Sequence, residues 1–329
     1  MKSLVDQHGR KIDYLRISIT DRCNLRCIYC MPESGVAHKS HEEILTYAEI
    51  MKIVVAASYC GIKKVRITGG EPLVRKDVVD LVAAIAKTAN INDFSLTTNG
   101  MLLGEYAEEL KNAGLRRINI SLDSLVREKC EMITRRDALN KVVEGIDTAL
   151  RVGLGPVKIN VVVIRGVNDD EIAEFAKLTC DKPLHVRFIE FMPIGDNSIW
   201  GMEKFIPNDE VKNLCRELGE LKEEGSQPNG NTSSYRLGKA KGTISFISPI
   251  SSPFCGGCGR LRLTSDGKLR LCLGSAEEID LLSIVRNSKF SSEHLIEAFE
   301  RAAILKPKGH RFNCAPHISG KKTMCQIGG

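Results

Sequence analysis

Cysteine thiolates are soft metal ligands, and two groups of cysteines in this 329-residue chain are spaced to work together. The first group is Cys23, Cys27 and Cys30, within Cys23-Asn24-Leu25-Arg26-Cys27-Ile28-Tyr29-Cys30. The second is Cys255 and Cys258, within Phe254-Cys-Gly-Gly-Cys-Gly-Arg-Leu-Arg-Leu-Thr264, completed by Cys272. A compact loop can aim several thiolates at one iron–sulfur cluster. Three thiolates on a four-iron cluster leave one iron open to a non-protein ligand. The competing chemistry is structural zinc, which prefers four closed ligands, commonly as two Cys-x-x-Cys pairs. The first loop fits zinc poorly without a distant fourth ligand. For the second group, spacing alone leaves both a cluster and a zinc ribbon open, the latter with a fourth ligand such as Cys314.

A second set of chemically active residues lies on strands. Arg16 and Ser18 alternate with Leu15, Ile17 and Ile19; Lys64, Arg66 and Thr68 with Val65 and Ile67; Ser95 and Thr97 with Phe94 and Leu96. Arg117, Asn119 and Ser121 alternate with Ile118, Ile120 and Leu122, and Lys158 and Asn160 with Val157, Ile159 and Val161. Arg187 lies between Val186 and Phe188, and Arg260 and Arg262 flank Leu261. Side chains alternate across a strand, so each strand has one apolar and one polar or basic face. Strands of a parallel sheet covered on both faces usually read as continuous apolar runs instead. Unpaired cations converging in a barrel interior call for a polyanion, such as a nucleotide triphosphate. The alternative is internal pairing with acidic residues such as Glu190 and Asp123.

The elements that position these residues alternate along the chain. Strands are expected at Tyr14–Thr20, Lys63–Thr68, Asp93–Thr97, Arg116–Leu122, Val157–Val163 and His185–Phe191, with helices between them. The first helix opens with the capping box Thr46-Tyr47-Ala48-Glu49, and the fifth with Asn168-Asp169-Asp170-Glu171, a capping box in form. Repeated strand–helix units imply a parallel sheet with right-handed crossovers. Six units fall short of the eight in a closed barrel, so the expected α/β fold is a partial, six-strand TIM-type barrel. Beyond Phe191 the pattern changes. A helix is expected near Asn208–Leu218, a turn-rich stretch at 224–231, strands at Gly242–Ile247 and Leu261–Thr264, and helices near Glu278–Asn287 and Ser292–Ala303. The expected division is a barrel over residues 1–205 and a capping domain over 206–329, which carries the second cysteine group.

Composition bounds the function. Hydrophobic content of 43% and charged content of 27% are ordinary for a globular protein. No apolar run is long enough to span a bilayer, and Met1–Asp6 lacks the apolar core of a signal peptide, so a cytoplasmic location is expected. Twelve cysteines in a reducing compartment favour metal binding over disulfides. A net charge of +6, without a block of consecutive basic residues, argues only weakly for an anionic partner and against a nucleic-acid-binding tail.

The first loop, with an aromatic residue before its last cysteine, resembles that of the radical S-adenosylmethionine enzymes. Gly69-Gly70-Glu71-Pro72 after the second strand resembles the segment that meets the methionyl amino group in that superfamily. Further pieces are Arg66-Ile-Thr-Gly-Gly-Glu-Pro-Leu73, Thr97-Thr98-Asn99-Gly100, Ser121-Leu122-Asp123, the Phe-Cys-x-x-Cys-x-Arg-x-Arg-Leu segment and the terminal Ile327-Gly328-Gly329. Together they resemble the GTP 3′,8-cyclase family of molybdenum cofactor biosynthesis, in the family's order and over nearly the whole chain.

That resemblance implies two 4Fe-4S clusters, one on Cys23, Cys27 and Cys30 and one on Cys255, Cys258 and Cys272. It implies that the first reduces S-adenosylmethionine to methionine and a 5′-deoxyadenosyl radical. The radical removes the 3′ hydrogen of GTP, and closure onto carbon 8 gives (8S)-3′,8-cyclo-7,8-dihydroguanosine 5′-triphosphate. It places Tyr29, Gly70, Ser121 and Met192 against S-adenosylmethionine. It places Arg16, Arg66, Thr97, Lys158, Arg187, Arg260 and Arg262 against GTP, and the Gly328-Gly329 tail in the active site. Implied partners are a flavodoxin- or ferredoxin-like reductant and cyclic pyranopterin monophosphate synthase, which takes the product; the resemblance allows a homodimer and calls for neither nucleic acid nor membrane. Cys314 and Cys325 match no cluster ligand of the family. Two other readings fit parts of the sequence: a radical enzyme with an auxiliary cluster acting on a peptide, and a zinc-stabilised nucleic-acid-binding protein. The many inward cations oppose the peptide.

Overall fold

In the computed structural model, residues 3–37, 39–194, 201–226, 233–310, 312 and 322–328 are described. Six strand–helix units come first: β1 (Tyr14–Ser18), α1 (Tyr47–Tyr59), β2 (Lys64–Thr68), α2 (Val78–Ala86), β3 (Asp93–Thr98), α3 (Leu103–Asn112), β4 (Arg117–Ser121), α4 (Arg127–Thr134), α5 (Leu139–Arg151), β5 (Val157–Val163), α6 (Ile172–Asp181) and β6 (Leu184–Glu190). There follow α7 (Asn208–Glu217), β7 (Leu221–Ser226), β8 (Ser233–Leu237), β9 (Thr243–Ile247), β10 (Arg260–Leu263), β11 (Lys268–Arg270), β12 (Glu278–Asp280), α8 (Leu281–Val285) and α9 (Ser292–Leu305). The Thr46 hydroxyl accepts from Glu49 N and completes the capping box of α1.

The six parallel strands lie side by side in chain order, as their helical crossovers require. The sheet does not stop there. Twelve strands run β12-β11-β10-β1-β2-β3-β4-β5-β6-β9-β8-β7, which corrects the six-strand expectation. The reason is physical: β1 and β6 would otherwise be open edges with unpaired backbone groups. Strand β10 pairs in parallel with β1, and β9 with β6, so the C-terminal part of the chain extends both edges of one sheet.

Three local expectations also fail. Residues 224–226 belong to β7 rather than to a turn; residues 227–231 of that stretch lie outside the described residues. Glu278–Asp280 is a strand paired with β11, and only Leu281–Val285 is helical. Asn168 does not cap α6: its amide donates to the carbonyls of Asp123 and Val162, and a 3-10 turn at Asp169–Glu171 comes first.

The apolar strand faces meet the helices. Leu15, Ile17, Val65, Ile67, Leu96, Ile118, Ile120, Ile159 and Val186 are all buried in the one large core cluster. Their burial against the helices is the main favourable term holding the layers together, at roughly 25 cal/mol per Å² of apolar surface. The opposite faces carry the basic residues, in register across the sheet. Arg262 opposes Arg16, Arg16 opposes Arg66 and Arg66 opposes Ser95. Thr97 opposes Asn119, which opposes Lys158; Asn160 opposes Arg187.

Candidate active site between two cysteine loops

The N-terminal cysteine loop begins just past the C-terminal end of β1. Backbone bonds tie it down on two sides. Gly70 N donates to Thr20 O at 2.7 Å and Glu71 N to Arg22 O at 2.8 Å, while Arg26 N and Ile28 N donate to Thr134 O and Ile133 O, both at 2.9 Å. Gly70 has no room for a side chain: an added Cβ would lie 2.8 Å from Asp21 O and against the Arg22 carbonyl. The Glu71 carboxylate, fully buried, accepts from Leu73 N at 3.0 Å, Thr98 Oγ1 at 2.8 Å and Asn99 N at 2.6 Å. Burial pushes its pKa up to about 7. Asn99 in turn donates to Asn24 Oδ1 at 2.7 Å and lies 3.7 Å from Cys23 Sγ. The Gly-Gly-Glu-Pro and Thr-Thr-Asn-Gly turns and the cysteine loop are therefore one hydrogen-bonded unit.

Beside it lies a small pocket lined by Cys27, Tyr29, Asn99, Ser121, Asp123 and neighbouring apolar residues. Tyr29 donates to Asp123 Oδ2 at 2.5 Å, and its ring meets Phe191 edge-on at 6.5 Å. Burial raises the Cys23 thiol to about 11 and pushes Cys27 well above its ordinary value. Both thiols hold their protons until a metal displaces them, and ligation releases those protons. Among the described residues no three His, Cys, Asp or Glu side chains converge on a single ion. Three thiols in one compact loop suit a cluster, whose thiolates sit on separate irons.

The barrel interior is cationic and largely unpaired. Among the described residues no carboxylate lies within ion-pair distance of Arg16, Arg66, Arg187, Arg260 or Arg262. Glu190 and Asp123 are committed elsewhere. Glu190 accepts from Asn208 N, Ile250 N and Ser251 N at 2.8–3.1 Å; Asp123 accepts from Tyr29 and from Val162 N at 2.8 Å. Two basic residues do leave the interior set: Lys64 pairs with Asp13, and Arg117 with Asp93. Arg66 donates to Ser95 Oγ at 3.1 Å and Arg187 to Asn119 Oδ1 at 2.7 Å. Burial, then the neighbouring cations, lowers Arg187 to about 9, Arg262 to about 10 and Lys158 to about 7, and pushes Arg16 well below its ordinary value. Tyr14 Oη, Arg16 Nε, Thr97 Oγ1, Asn160 Oδ1 and Arg187 Nε are buried without any partner. Buried polar atoms are rarely left so in a finished site. Groups left in this state suit a ligand carrying both negative charge and polar edges.

The second cysteine group stands at the other end of the same strands. Cys255 and Cys258 precede β10, which runs parallel to β1, and Cys272 follows β11. The length of a five-residue strand, about 15 Å, therefore separates the two loops. Lys306 is 2% exposed here and donates to the carbonyls of Arg260 at 2.7 Å and Leu271 at 2.6 Å. Burial acts to raise the Cys258 thiol, but Lys306 and Arg260 outweigh it and lower it. Arg10 holds the loop from the other side, donating to Cys255 O and Lys308 O at 2.9 Å. Neither residue carried a sequence signal: each reads as one more surface cation. Nor did α4, which buttresses the first loop, or Tyr14, whose ring lies 5.6 Å from Arg66 and 5.5 Å from Arg260.

The tail enters this space. Gly328 lies against Ser18 and Thr68, and its carbonyl accepts from Arg262 at 3.3 Å. Ile327 packs with Ile194 and Phe312, and half-buried Met192 packs against that small cluster. Gly329 and Cys314 lie outside the described residues.

Residues 17–179 match the radical SAM superfamily model, and residues 184–312 match the model described as Molybdenum Cofactor Synthesis C. A GTP 3′,8-cyclase of Petrotoga mobilis is 50% identical over 326 residues, 99% of this chain and 100% of the relative. The chain belongs to the GTP 3′,8-cyclase family. A second GTP 3′,8-cyclase, from Alkaliphilus oremlandii, is 51% identical over 98% of this chain and 99% of its own length. Among solved structures, SuiB of Streptococcus suis bound to S-adenosylmethionine superposes with a TM-score of 0.58 over 98% of this chain and 79% of its own. At 15% identity that likeness speaks for the radical SAM fold alone. A GTP 3′,8-cyclase has use for each part of the geometry: thiols for clusters at both ends, and unpaired cations between them. Among the described residues no helix is long and apolar enough to cross a membrane.

Proposed function

We propose that this chain converts GTP to (8S)-3′,8-cyclo-7,8-dihydroguanosine 5′-triphosphate, the first step of molybdenum cofactor biosynthesis, in the space between its two cysteine loops. The observation that carries the reading is the set of buried, unpaired cations spanning that space. In this reading Cys23, Cys27 and Cys30 hold one 4Fe-4S cluster, and Cys255, Cys258 and Cys272 hold the second in a C-terminal capping domain over 206–329. When bound, the first cluster and S-adenosylmethionine supply the electron and the radical chemistry that remove a hydrogen from the ribose.

The chain's own residues bind, orient and enclose. Gly70 lets the cofactor approach the backbone, while Ser121, Tyr29 and Met192 line its seat. Arg16, Arg66, Arg187, Arg260 and Arg262 neutralise the triphosphate with planar forks that lysine cannot copy, and Lys158 adds a point charge. Thr97 offers an unsatisfied hydroxyl to the substrate. Gly328, at the inner end of the tail, closes the space around the substrate and excludes water. Lys306 and Arg10 fix the second loop. A flavodoxin- or ferredoxin-like reductant, transfer of product to cyclic pyranopterin monophosphate synthase, a homodimer and a cytoplasmic location complete the reading on family grounds.

The test is anaerobic incubation with GTP, S-adenosylmethionine and reductant after cluster reconstitution. Mass analysis should find 5′-deoxyadenosine and a cyclised nucleotide of unchanged mass. S-Adenosylmethionine cleaved without any change in the nucleotide would overturn the assignment of the cavity to GTP.

A further inference from the structure

Tyr14 opens β1 on the same inward face as Arg16, two residues further on. It opposes Lys64 on β2 and Arg260 on β10, and its backbone N donates to Gly259 O at 3.2 Å, beside the second cysteine loop. The Arg66 guanidinium lies over its ring at 5.6 Å and that of Arg260 at 5.5 Å; Arg260 also lies over the Phe254 ring at 5.7 Å. Both cations face the ring, and neither donates to the hydroxyl, so Tyr14 Oη is buried without a partner. Burial acts to raise the phenol, but Arg66, Arg16, Arg260 and Arg262 outweigh it and lower it. Guanidiniums are donors only, so what the hydroxyl lacks is an acceptor. A phenol acidified by nearby cations is a strong donor to one. Arg66 and Arg260 are half-buried and pair with no carboxylate among the described residues, so an incoming anion can draw them aside.

We propose that Tyr14 is a further substrate-binding residue, whose hydroxyl donates to a phosphate oxygen of a polyphosphate held by Arg16, Arg66, Arg260 and Arg262. The chemistries are complementary. The guanidiniums supply the charge, and a phosphate oxygen is the acceptor that the phenol lacks. A hydrogen bond to a charged oxygen is shorter and stronger than one between neutral groups. A neutral base edge or a ribose hydroxyl would satisfy the phenol but leave the surrounding cations unanswered. Phenylalanine at this position would keep a ring between the two guanidiniums and remove the donor alone. The inference deepens the reading of this space as the GTP site, and inorganic tripolyphosphate, the phosphate chain without its nucleoside, separates the two.

Full-length protein with its clusters reconstituted is titrated by calorimetry without oxygen and without S-adenosylmethionine, once with GTP and once with inorganic tripolyphosphate. Tyr14→Phe should raise the Kd for each about 10-fold, the loss of one hydrogen bond to a charged acceptor. Its ligand-free melting temperature should equal or exceed that of the wild type, because the change removes a buried hydroxyl that has no partner. Unchanged affinity for tripolyphosphate would overturn the proposal, even if binding of GTP fell. So would a variant that melts lower or does not fold, since the hydroxyl would then have a partner within the protein. A wild type that binds tripolyphosphate but not GTP, with the loss in Tyr14→Phe as expected, would leave the role of Tyr14 standing and overturn the GTP reading. A wild type that binds neither would overturn both.

Discussion

Lys158 converts the cation-lined cavity into a countable quantity. It is 8% exposed on β5, and burial, followed by repulsion from Arg187, Arg117 and Arg66, lowers its pKa from 10.5 to about 7. A bound triphosphate removes the repulsion and supplies opposite charge, so the pKa climbs back. At pH 8 a group with a pKa of 7 is about one-tenth protonated, whereas the ligand-bound group is almost fully so. GTP binding at pH 8 should therefore take up about 0.9 proton per chain. The nucleotide supplies none of this change, because the second phosphate ionisation, near 6, is complete at that pH. His185, lowered to about 3 by burial and then by Lys158 and Arg187, stays neutral, and Arg187 at about 9 is already mostly charged. The assay is anaerobic calorimetry at pH 8 in two buffers of different ionisation enthalpy, without S-adenosylmethionine so that nothing turns over. Lys158→Met should abolish most of the uptake. No proton uptake by the wild type, or equal uptake by the variant, would refute the placement of this ammonium in the ligand cavity. The same group sets a stability trend. The unfolded chain binds more protons than the folded one between pH 7 and 10.5, so ligand-free stability should rise through that window. Lys158 contributes about 1.4 kcal/mol per pH unit to that rise.

Three further outcomes follow from the geometry. Arg262→Met removes a guanidinium whose fall from 12.5 to about 10 disfavours its charged form by about 3 kcal/mol. The ligand-free protein should melt higher while the Kd for GTP rises about 100-fold, through about two lost charge-assisted hydrogen bonds; a lower melting point with unchanged affinity would contradict this. Gly70→Ala drives a methyl group against the Arg22 and Asp21 backbone, so binding of S-adenosylmethionine should weaken at least ~10-fold and the melting temperature should fall by several degrees. Normal binding by that variant would show that the turn yields. Cys27→Ser should reduce reconstituted iron from about eight to about four per chain and abolish cleavage of S-adenosylmethionine. Full cleavage would exclude Cys27 as a ligand.

How much was legible depended on the range of the interaction. The six central strands follow from period-two alternation, and the inward rows of Arg16, Arg66 and Arg262 follow from the same pattern, because a strand commits alternate side chains to opposite faces. The cysteine loops were legible because metal ligation fixes residue type and spacing together. The pairing of β1 with β10 was not, since nothing in Tyr14–Ser18 marks a partner some 240 residues away. Lys64 and Arg117 looked like cavity cations until Asp13 and Asp93 were placed beside them. Lys306 follows an amphipathic helix and reads as solvated; only the fold places it under the carbonyls of Arg260 and Leu271. Asn168 and Glu171 matched a helix-capping pattern, but in three dimensions their side chains reach back to the loop after β4.

The two cysteine loops hang from opposite ends of one hydrogen-bonded strand pair, and four residue pairings join β1 to β10. No hinge lies between them. Motion that slid one loop toward the other would have to break a ladder in the middle of the sheet, so the span behaves as a fixed gauge. A ligand that is to touch both loops at once must match that length.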